Sequence, residues 1–331
     1  MKAILISETG GPEVLKYIDT PKPKPEAGHV LVKAHTIGIG KYDYLVRSGK
    51  YPFPVELPVV PGIEMTGVVE AVGPGVSDIE VGQRVQVWKF DRGCYAEYVS
   101  CPLHELLVLP DGVDLEAAIA LPAYQVAWGM LHDAADPRRR KTAYINGAAG
   151  NIGTAMIHLC RDIGIEIIAG ASSEEKCAFA RSQGASHTVN TSEGSHVAQI
   201  LELTKGRGVE VMFDHVVGPN FRDNIKAMAP LGQIITFNAL GGFPSSDMFA
   251  DLRANLDRSV SLRPYSVHVY DPFPEERRRI ANEVLKLFAS GRIKPAITKR
   301  FKLEQAAEAH ALMDGGEILG KMIMTVASAA A

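Results

Sequence analysis

The sequence predicts a two-domain α/β chain: a β-rich lobe punctuated by proline, joined to a doubly wound parallel sheet of six strands. Three observations predict it. The chain has 331 residues, the length of about two domains of ~150 residues each. Up to Pro110, short β-branched runs are bounded by Gly and Pro, the pattern of strands and turns. From Thr142 onward, strand-like and helix-like segments alternate, which specifies a parallel sheet with helices on both faces.

The elements follow in order. Residues 2–6, 30–34, 67–72 and 84–88 read as strands. Pro21, Pro23 and Pro25 alternate with lysines in an extended connection, where proline cannot join a central sheet. Pro52, Pro54, Pro58 and Pro61 mark a second rigid loop. A helical stretch at 115–121 is interrupted by Pro122. In the alternating region, strands are expected at 143–145, 166–169, 187–189, 209–213, 233–237 and 259–262, with helices at 151–162, 174–183, 196–204 and 221–228. A long helix at 274–290 carries Ile280, Val284, Leu285, Leu287 and Phe288 on one face. A second helix at 303–313, the pair Gly315-Gly316 and a last strand at 321–326 follow, and the Ala-rich residues 327–331 are expected to fray.

Composition excludes several classes. Hydrophobic residues at 46% and charged residues at 22% are ordinary for a globular chain. The net charge of −3, from 35 basic and 38 acidic residues, gives no global attraction to nucleic acid. No run approaches the ~20 apolar residues of a membrane-spanning helix. The apolar residues 1–6 meet Ser7-Glu8-Thr9-Gly10 too soon for a signal peptide, so a cytoplasmic location is expected. Cys94, Cys101, Cys160 and Cys177 form no metal-ligand spacing and read as buried reduced thiols. The basic runs 138–141 and 277–279 read as solvated faces.

The sharpest local signal is Gly147-Ala148-Ala149-Gly150-Asn151-Ile152-Gly153, directly after a strand and opening a helix. The first glycine permits a tight turn, the second lets backbone N–H groups approach a diphosphate, and the third allows close helix packing. The helix N-terminus adds unsatisfied donors and a partial positive charge. Gly147, Ala149, Gly150, Asn151, Ile152 and Gly153 are therefore candidate dinucleotide ligands. At the end of the second strand, Ala169-Gly170-Ala171-Ser172-Ser173 offers no carboxylate for a ribose 2′-hydroxyl. Ser172, Ser173 and Lys176 can instead meet a 2′-phosphate, which favours NADP over NAD. The alternative makes Ser173 a helix cap and Lys176 a surface lysine.

At this point the chain resembles the medium-chain dehydrogenase/reductase superfamily, and within it the zinc-free NADPH:quinone oxidoreductase (zeta-crystallin-like) branch. The resemblance rests on Gly10-Gly11-Pro12-Glu13-Val14-Leu15, Gly67-Val68-Val69-Glu70-Ala71-Val72-Gly73, Val81-Gly82-Gln83-Arg84-Val85, Tyr95-Ala96-Glu97-Tyr98, the glycine turn and Gly320-Lys321-Met322. It implies a GroES-like catalytic domain at 1–118 and 266–331, with an NADP-binding Rossmann domain at 119–265 between them, and a homodimer. Zinc-dependent members hold their metal with a Cys and a His; here Gly40 and Ile63 stand at those places, so no metal is expected.

Without zinc, the fitting chemistry is hydride transfer from NADPH to an acceptor that is already electrophilic, a quinone or an enone. In the segment 40–51, Tyr51 matches a family tyrosine that lines the site, as a pocket hydroxyl or as a packing residue. Gly40 and Leu45 replace a family asparagine and an earlier tyrosine. The resemblance also places Thr191 on the adenosine side and the backbone of Phe237 and Asn238 beside the nicotinamide. Asn238 is a polar pocket group or a turn residue, and His215 a titratable pocket group or a structural histidine. The runner-up functions are an NADPH-dependent reductase of unsaturated ketones, aldehydes or acyl thioesters, and a non-catalytic NADPH-binding protein.

Overall fold

The structure, a computed structural model, describes residues 1–326; the Ala-rich segment 327–331 lies outside the described residues. The chain divides into two compact units, one of residues 1–122 with 285–331 and the other of residues 123–284.

The first unit begins with strands β1 (Lys2–Leu5), β2 (Lys16–Asp19) and β3 (His29–Ile39), then helix α1 (Lys41–Arg47). Strands β4 (Glu64–Val72), β5 (Arg84–Trp88), β6 (Tyr98–Pro102) and β7 (Leu106–Val108) follow, then α2 (Leu115–Ala118) and α3 (Leu121–Gly129), which passes into the second unit after Pro122. Pro122 does not break α3. It occupies the first turn, where a missing N–H leaves no bond unmade.

The second unit alternates β8 (Thr142–Asn146), α4 (Asn151–Asp162), β9 (Glu166–Ala171), α5 (Glu174–Ser182), β10 (His187–Asn190), α6 (His196–Leu203) and β11 (Val209–Asp214). It continues with α7 (Asp223–Lys226), β12 (Met228–Thr236), α8 (Met248–Arg253), β13 (Ser261–Pro264) and most of α9 (Pro274–Ala289). The chain then returns to the first unit with β14 (Ile297–Lys302), α10 (Ala306–Asp314) and β15 (Lys321–Thr325).

In the first unit the sheet order is β14-β15-β3-β4-β5-β7, with β6 also pairing β3. The long β3 is the hub, antiparallel to β4, β6 and β15. Its inward Val30, Val32 and Ile37 pack with Met65, Val85, Met322 and Met324, so residues from both chain ends build one core. In the second unit the order is β10-β9-β8-β11-β12-β13, all parallel. Helices cover both faces of such a sheet, so the strands read as continuous apolar runs: Val211, Met212 and Phe213 are all buried. Strand order reverses between β8 and β11, the switch point where ligands bind outside the carboxyl ends.

Four sequence expectations change. The return to the first unit falls at Leu285 rather than 266, because the residues after β13 pack onto α3. Tyr270 Oη donates to Asp133 Oδ2 at 2.7 Å, and the Arg279 guanidinium lies 5.0 Å from the Trp128 ring. The first boundary falls at 122 rather than 118. The helix expected at 221–228 shrinks to α7, since Met228 already pairs with Val209 in the sheet. The short helices α1 and α8 lack the length for a periodic signal; Asp43 and Asp247 cap their first turns.

All four cysteines are free and buried. Burial pushes their thiols up, Cys101 and Cys160 to about 12. The basic runs are answered by nearby carboxylates, Arg138 by Asp136 at 2.8 Å and Arg279 by Glu276 at 2.8 Å. Among the described residues, no helix is long and apolar enough to cross a membrane.

Candidate functional site

Because the second unit's strands are all parallel, their carboxyl ends share one edge, and the cofactor candidates drawn from the sequence lie along it. Gly147 directly follows β8 with φ 71°. A Cβ there would also lie 2.0 Å from His215 Nε2, so only glycine fits. A Cβ on Gly153 would lie 2.5 Å from the Gly147 carbonyl oxygen, which lets α4 press against the turn. Gly150, the residue before α4, supplies no side-chain cap. The first-turn N–H groups of the helix, opening at Asn151 and Ile152, therefore keep their capacity for an anion. Ala149 is buried in the turn itself.

A buried carboxylate fixes the two sides of the switch point. Asp214, at the end of β11, accepts hydrogen bonds from Asn146 Nδ2 at 2.8 Å, Val216 N at 2.8 Å, Val217 N at 3.2 Å and Asn224 Nδ2 at 3.1 Å. With its amide nitrogen so engaged, Asn224 turns its oxygen to His196 Nε2 at 2.6 Å, and that nitrogen carries the proton. The loops after β11 and β12 are laced together. Phe237 N donates to Asp214 O at 3.2 Å, Leu240 N to His215 O at 3.0 Å, and Gly241 N to Val216 O at 2.7 Å. The rings of His215 and Phe237 are 5.5 Å apart, while Asn238 beside them is exposed.

At the other end of the edge, Ser172 is exposed and Lys176 Nζ donates to its hydroxyl at 3.0 Å. Ser173 is the N-cap of α5, accepting from Lys176 N at 3.3 Å. Ser192 Oγ donates to the Ser172 carbonyl at 2.7 Å, and Thr191 Oγ1 to the Ala171 carbonyl at 3.2 Å. Glu174, the first carboxylate after β9, is paired with Arg181. A hydroxyl and an ammonium thus stand where a ribose-binding carboxylate would otherwise be. This donor set fits an adenosine carrying a 2′-phosphate.

In the first unit, Tyr51 belongs to an aromatic group. Its ring is 4.7 Å from that of Tyr42 and 5.7 Å from that of Phe53, both edge-on; Phe90 extends the group to Trp88. Tyr42 Oη donates to Phe90 O at 3.0 Å and accepts from Arg92 Nη1 at 3.0 Å. Burial pushes the Tyr42 phenol up to about 12, so it stays protonated at neutral pH.

Beneath α1 lies a buried polar cluster. Asp43 Oδ2 accepts from Gly40 N at 2.9 Å, Lys321 is paired with Glu64, and Arg47 meets Asp314 at 2.5 Å. Tyr95 Oη and His310 Nε2 are 3.0 Å apart. Burial, reinforced by the Glu64 charge, pushes the Asp43 carboxyl up to about 7, against the pull of Gly40 N–H, Lys321 and Tyr95. Burial and nearby Arg47 hold His310 down at about 3, so it is neutral.

Comparison with known proteins places this geometry. Residues 26–111 match the alcohol dehydrogenase GroES-like domain, and residues 183–324 match the zinc-binding dehydrogenase domain. The quinone oxidoreductase of Pseudomonas aeruginosa is 31% identical over 325 residues, covering 98% of this chain and 99% of that protein. The chain belongs to the quinone oxidoreductase family. Another member, from Rattus norvegicus, is 29% identical over 328 residues, covering 98% of this chain and 97% of its own length. The Escherichia coli quinone oxidoreductase, solved in complex with NADPH, superposes with a TM-score of 0.90 at 26% identity, covering 98% of this chain and all (100%) of that one. A mycobacterial protein complexed with NADPH gives 0.89 at 31% identity, with the same coverage.

The structure brings the glycine turn, Ser172, Ser173, Lys176, Thr191, Phe237 and Asn238 to one edge, and leaves Tyr51 in the other unit. Gly40 and Ile63 offer no donor atoms, and among the described residues no group of three or more His, Cys, Asp or Glu side chains is placed to hold a metal ion. Sequence reasoning missed the ring contact of Tyr51 with Tyr42, the hold of Phe90 and Arg92 on Tyr42, and the clamp on Asp214. The helical spacing of residues 41–47 is a weak signal for the first; nothing local announces the other two.

Two predictions follow from this geometry. Replacing Gly147 by alanine forces a Cβ into the His215 ring at a left-handed φ, and dinucleotide binding measured by titration calorimetry is expected to fall below detection. For Asp43, an ordinary carboxyl in the unfolded chain ionises near pH 4, whereas the folded one holds its proton to about 7. The unfolded state therefore releases its proton first as pH rises, and this group lowers stability progressively between those values, by at most about 1.4 kcal/mol per pH unit. Asp43→Asn should remove that slope: urea denaturation at pH 5 and pH 8 should show the variant gaining on the wild type as pH increases.

Proposed function

We propose that this chain is an NADPH-dependent quinone oxidoreductase. The single observation that carries the reading is the cofactor edge: a diphosphate-binding turn ending in a serine–lysine corner, in a chain alike along its whole length to quinone oxidoreductases. When bound there, NADPH supplies the hydride. The chain's own residues do the rest. The turn from Gly147 to Gly153 holds the diphosphate against the N-terminus of α4. Ser172 and Lys176 hold the 2′-phosphate, and Ser173 caps the helix from which Lys176 extends. The aromatic group of Tyr42, Tyr51, Phe53 and Phe90 offers faces and edges suited to a flat quinone ring. Tyr51 donates its hydroxyl proton toward the quinone oxygen that gains charge, while Tyr42 is held by Phe90 and Arg92.

The protein acts as a homodimer in this reading. Among the described residues, β13 closes the six-stranded sheet and pairs only with β12, leaving a backbone edge for a second copy. Four free cysteines suit a reducing cytoplasm.

The assay is NADPH oxidation against a panel of quinones and a panel of enones, with NADH in parallel. Turnover with quinones and preference for NADPH are expected; turnover confined to enones would replace the substrate, and binding without turnover on either panel would replace the enzyme. Lys176→Ala should weaken NADPH about ten- to a hundred-fold, the range for a charge-assisted bond to phosphate, and leave NADH unchanged. Tyr51→Phe should lower kcat/KM for the quinone by about a hundred-fold, the lower part of the range for a positioned proton donor, with NADPH affinity intact by fluorescence titration.

A further inference from the structure

We propose that Arg92 is a positioning residue for quinone reduction: by donating to the Tyr42 hydroxyl, its guanidinium fixes the ring against which the proton-donating Tyr51 rests. The role rests on the quinone reading above, and Arg92 fills it through Tyr42 rather than by touching the acceptor.

The backbone at Arg92 is strained. Its φ of 78° lies in the left-handed region, as does the 103° of Gly93 beside it. Glycine takes such angles freely, whereas a side chain makes them costly, and strain of this kind gathers where function needs a fixed geometry. Backbone bonds hold the turn in that shape: Arg92 N donates to Lys89 O at 3.2 Å, Gly93 N to Val60 O at 3.0 Å and Cys94 N to Gly62 O at 3.0 Å. The guanidinium so presented is not answered by its neighbour Asp91, which pairs with Lys89 instead. Arg92 Nε is buried with no acceptor among the described residues, and Nη1 donates to one phenol, Tyr42 Oη, at 3.0 Å. A left-handed side chain and a bare buried N–H both cost stability. Packing alone does not account for an arginine here.

The other contacts of Tyr42 show what the bond does. Its hydroxyl accepts from Arg92 and donates to Phe90 O at 3.0 Å, so the ring and its hydroxyl hydrogen are both fixed. The Tyr51 ring meets it edge-on at 4.7 Å. The second ring against Tyr51, Phe53 at 5.7 Å, is itself exposed, which leaves Tyr42 as the firmer support. Burial pushes the Tyr42 phenol up to about 12; Tyr51 adds to the rise and Arg92 pulls against it, so both act on the same hydroxyl. A proton donor serves only when it is aimed at the oxygen that gains charge. Arg92 holds that aim.

The test is steady-state kinetics of the full chain with NADPH and a water-soluble benzoquinone. The chains compared are the wild type, Arg92→Gly, Arg92→Lys, Tyr42→Phe and the double variant Arg92→Gly/Tyr42→Phe. Glycine relieves the left-handed strain, so Arg92→Gly is expected to unfold thermally at or above the wild-type midpoint. Its kcat should nevertheless fall about tenfold, the size of one hydrogen bond from a charged group, with KM within about twofold. NADPH affinity by fluorescence titration should be unchanged. Arg92→Lys keeps a cationic donor and should recover part of the loss. Tyr42→Phe keeps the ring without the acceptor, so it should match Arg92→Gly, and the double variant should be no worse than either. An unchanged kcat in Arg92→Gly overturns the role. So does a loss confined to KM or NADPH affinity, a fall in kcat that comes with a lower midpoint, or losses that multiply in the double variant. A Tyr51→Phe variant as active as the wild type removes the role while leaving quinone turnover in place. A wild-type chain that turns over no quinone overturns both together.

Discussion

The cofactor edge depends on one buried carboxylate. Asp214 lies at the end of a central strand, fully covered, and four donors from three segments converge on it. Removing a charge from water is costly unless hydrogen bonds replace the lost solvation. Here they come from Asn146 at the end of β8, from the turn after β11 and from α7, so satisfying the charge means bringing those three together. The geometry of the glycine turn and of the loop opposite it is the by-product of solvating one side chain. Leave Asp214 with fewer partners and the two rims of the switch point lose their shared anchor.

The first unit uses buried polarity differently. Its cluster, spread over α1, β4, α10 and β15, binds residues from the start of the chain to residues from its end: Arg47 to Asp314 and Glu64 to Lys321. Ion pairs at an exposed surface contribute about 0–1 kcal/mol; the weight of these pairs lies in specifying which strand joins which. A sheet closed by a segment nearly three hundred residues away benefits from such register marks, because apolar contacts alone would tolerate a slip.

The legibility of the sequence tracks how local each cause is. The six parallel strands were readable since most are apolar runs between turn residues, and the tight turn at Gly147, with its φ of 71°, was readable from its glycines placed between a strand and a helix. Ser172 and Lys176 were singled out through the missing carboxylate at the end of β9, and the structure sets them side by side. Residues 266–284, placed with the returning domain from the sequence, cluster with the second unit because what holds them is distant: Tyr270 finds Asp133, and Arg279 lies over Trp128. For the same reason the clamp on Asp214 was invisible, its donors being spread from Asn146 to Asn224. Tyr51 was named by pattern, yet Phe90 and Arg92, which hold its neighbour Tyr42, come from beyond another strand's end and no spacing links them.

The condition of the sulfur atoms has a chemical consequence. Quinones are electrophiles, and a thiolate adds to their ring carbons, so a protein that turns them over risks being alkylated by its own substrate. All four cysteines are buried with their thiols held above the ordinary range, and a protonated, covered thiol is a poor nucleophile. Under the proposed function, the fold keeps its sulfur out of reach of such electrophiles.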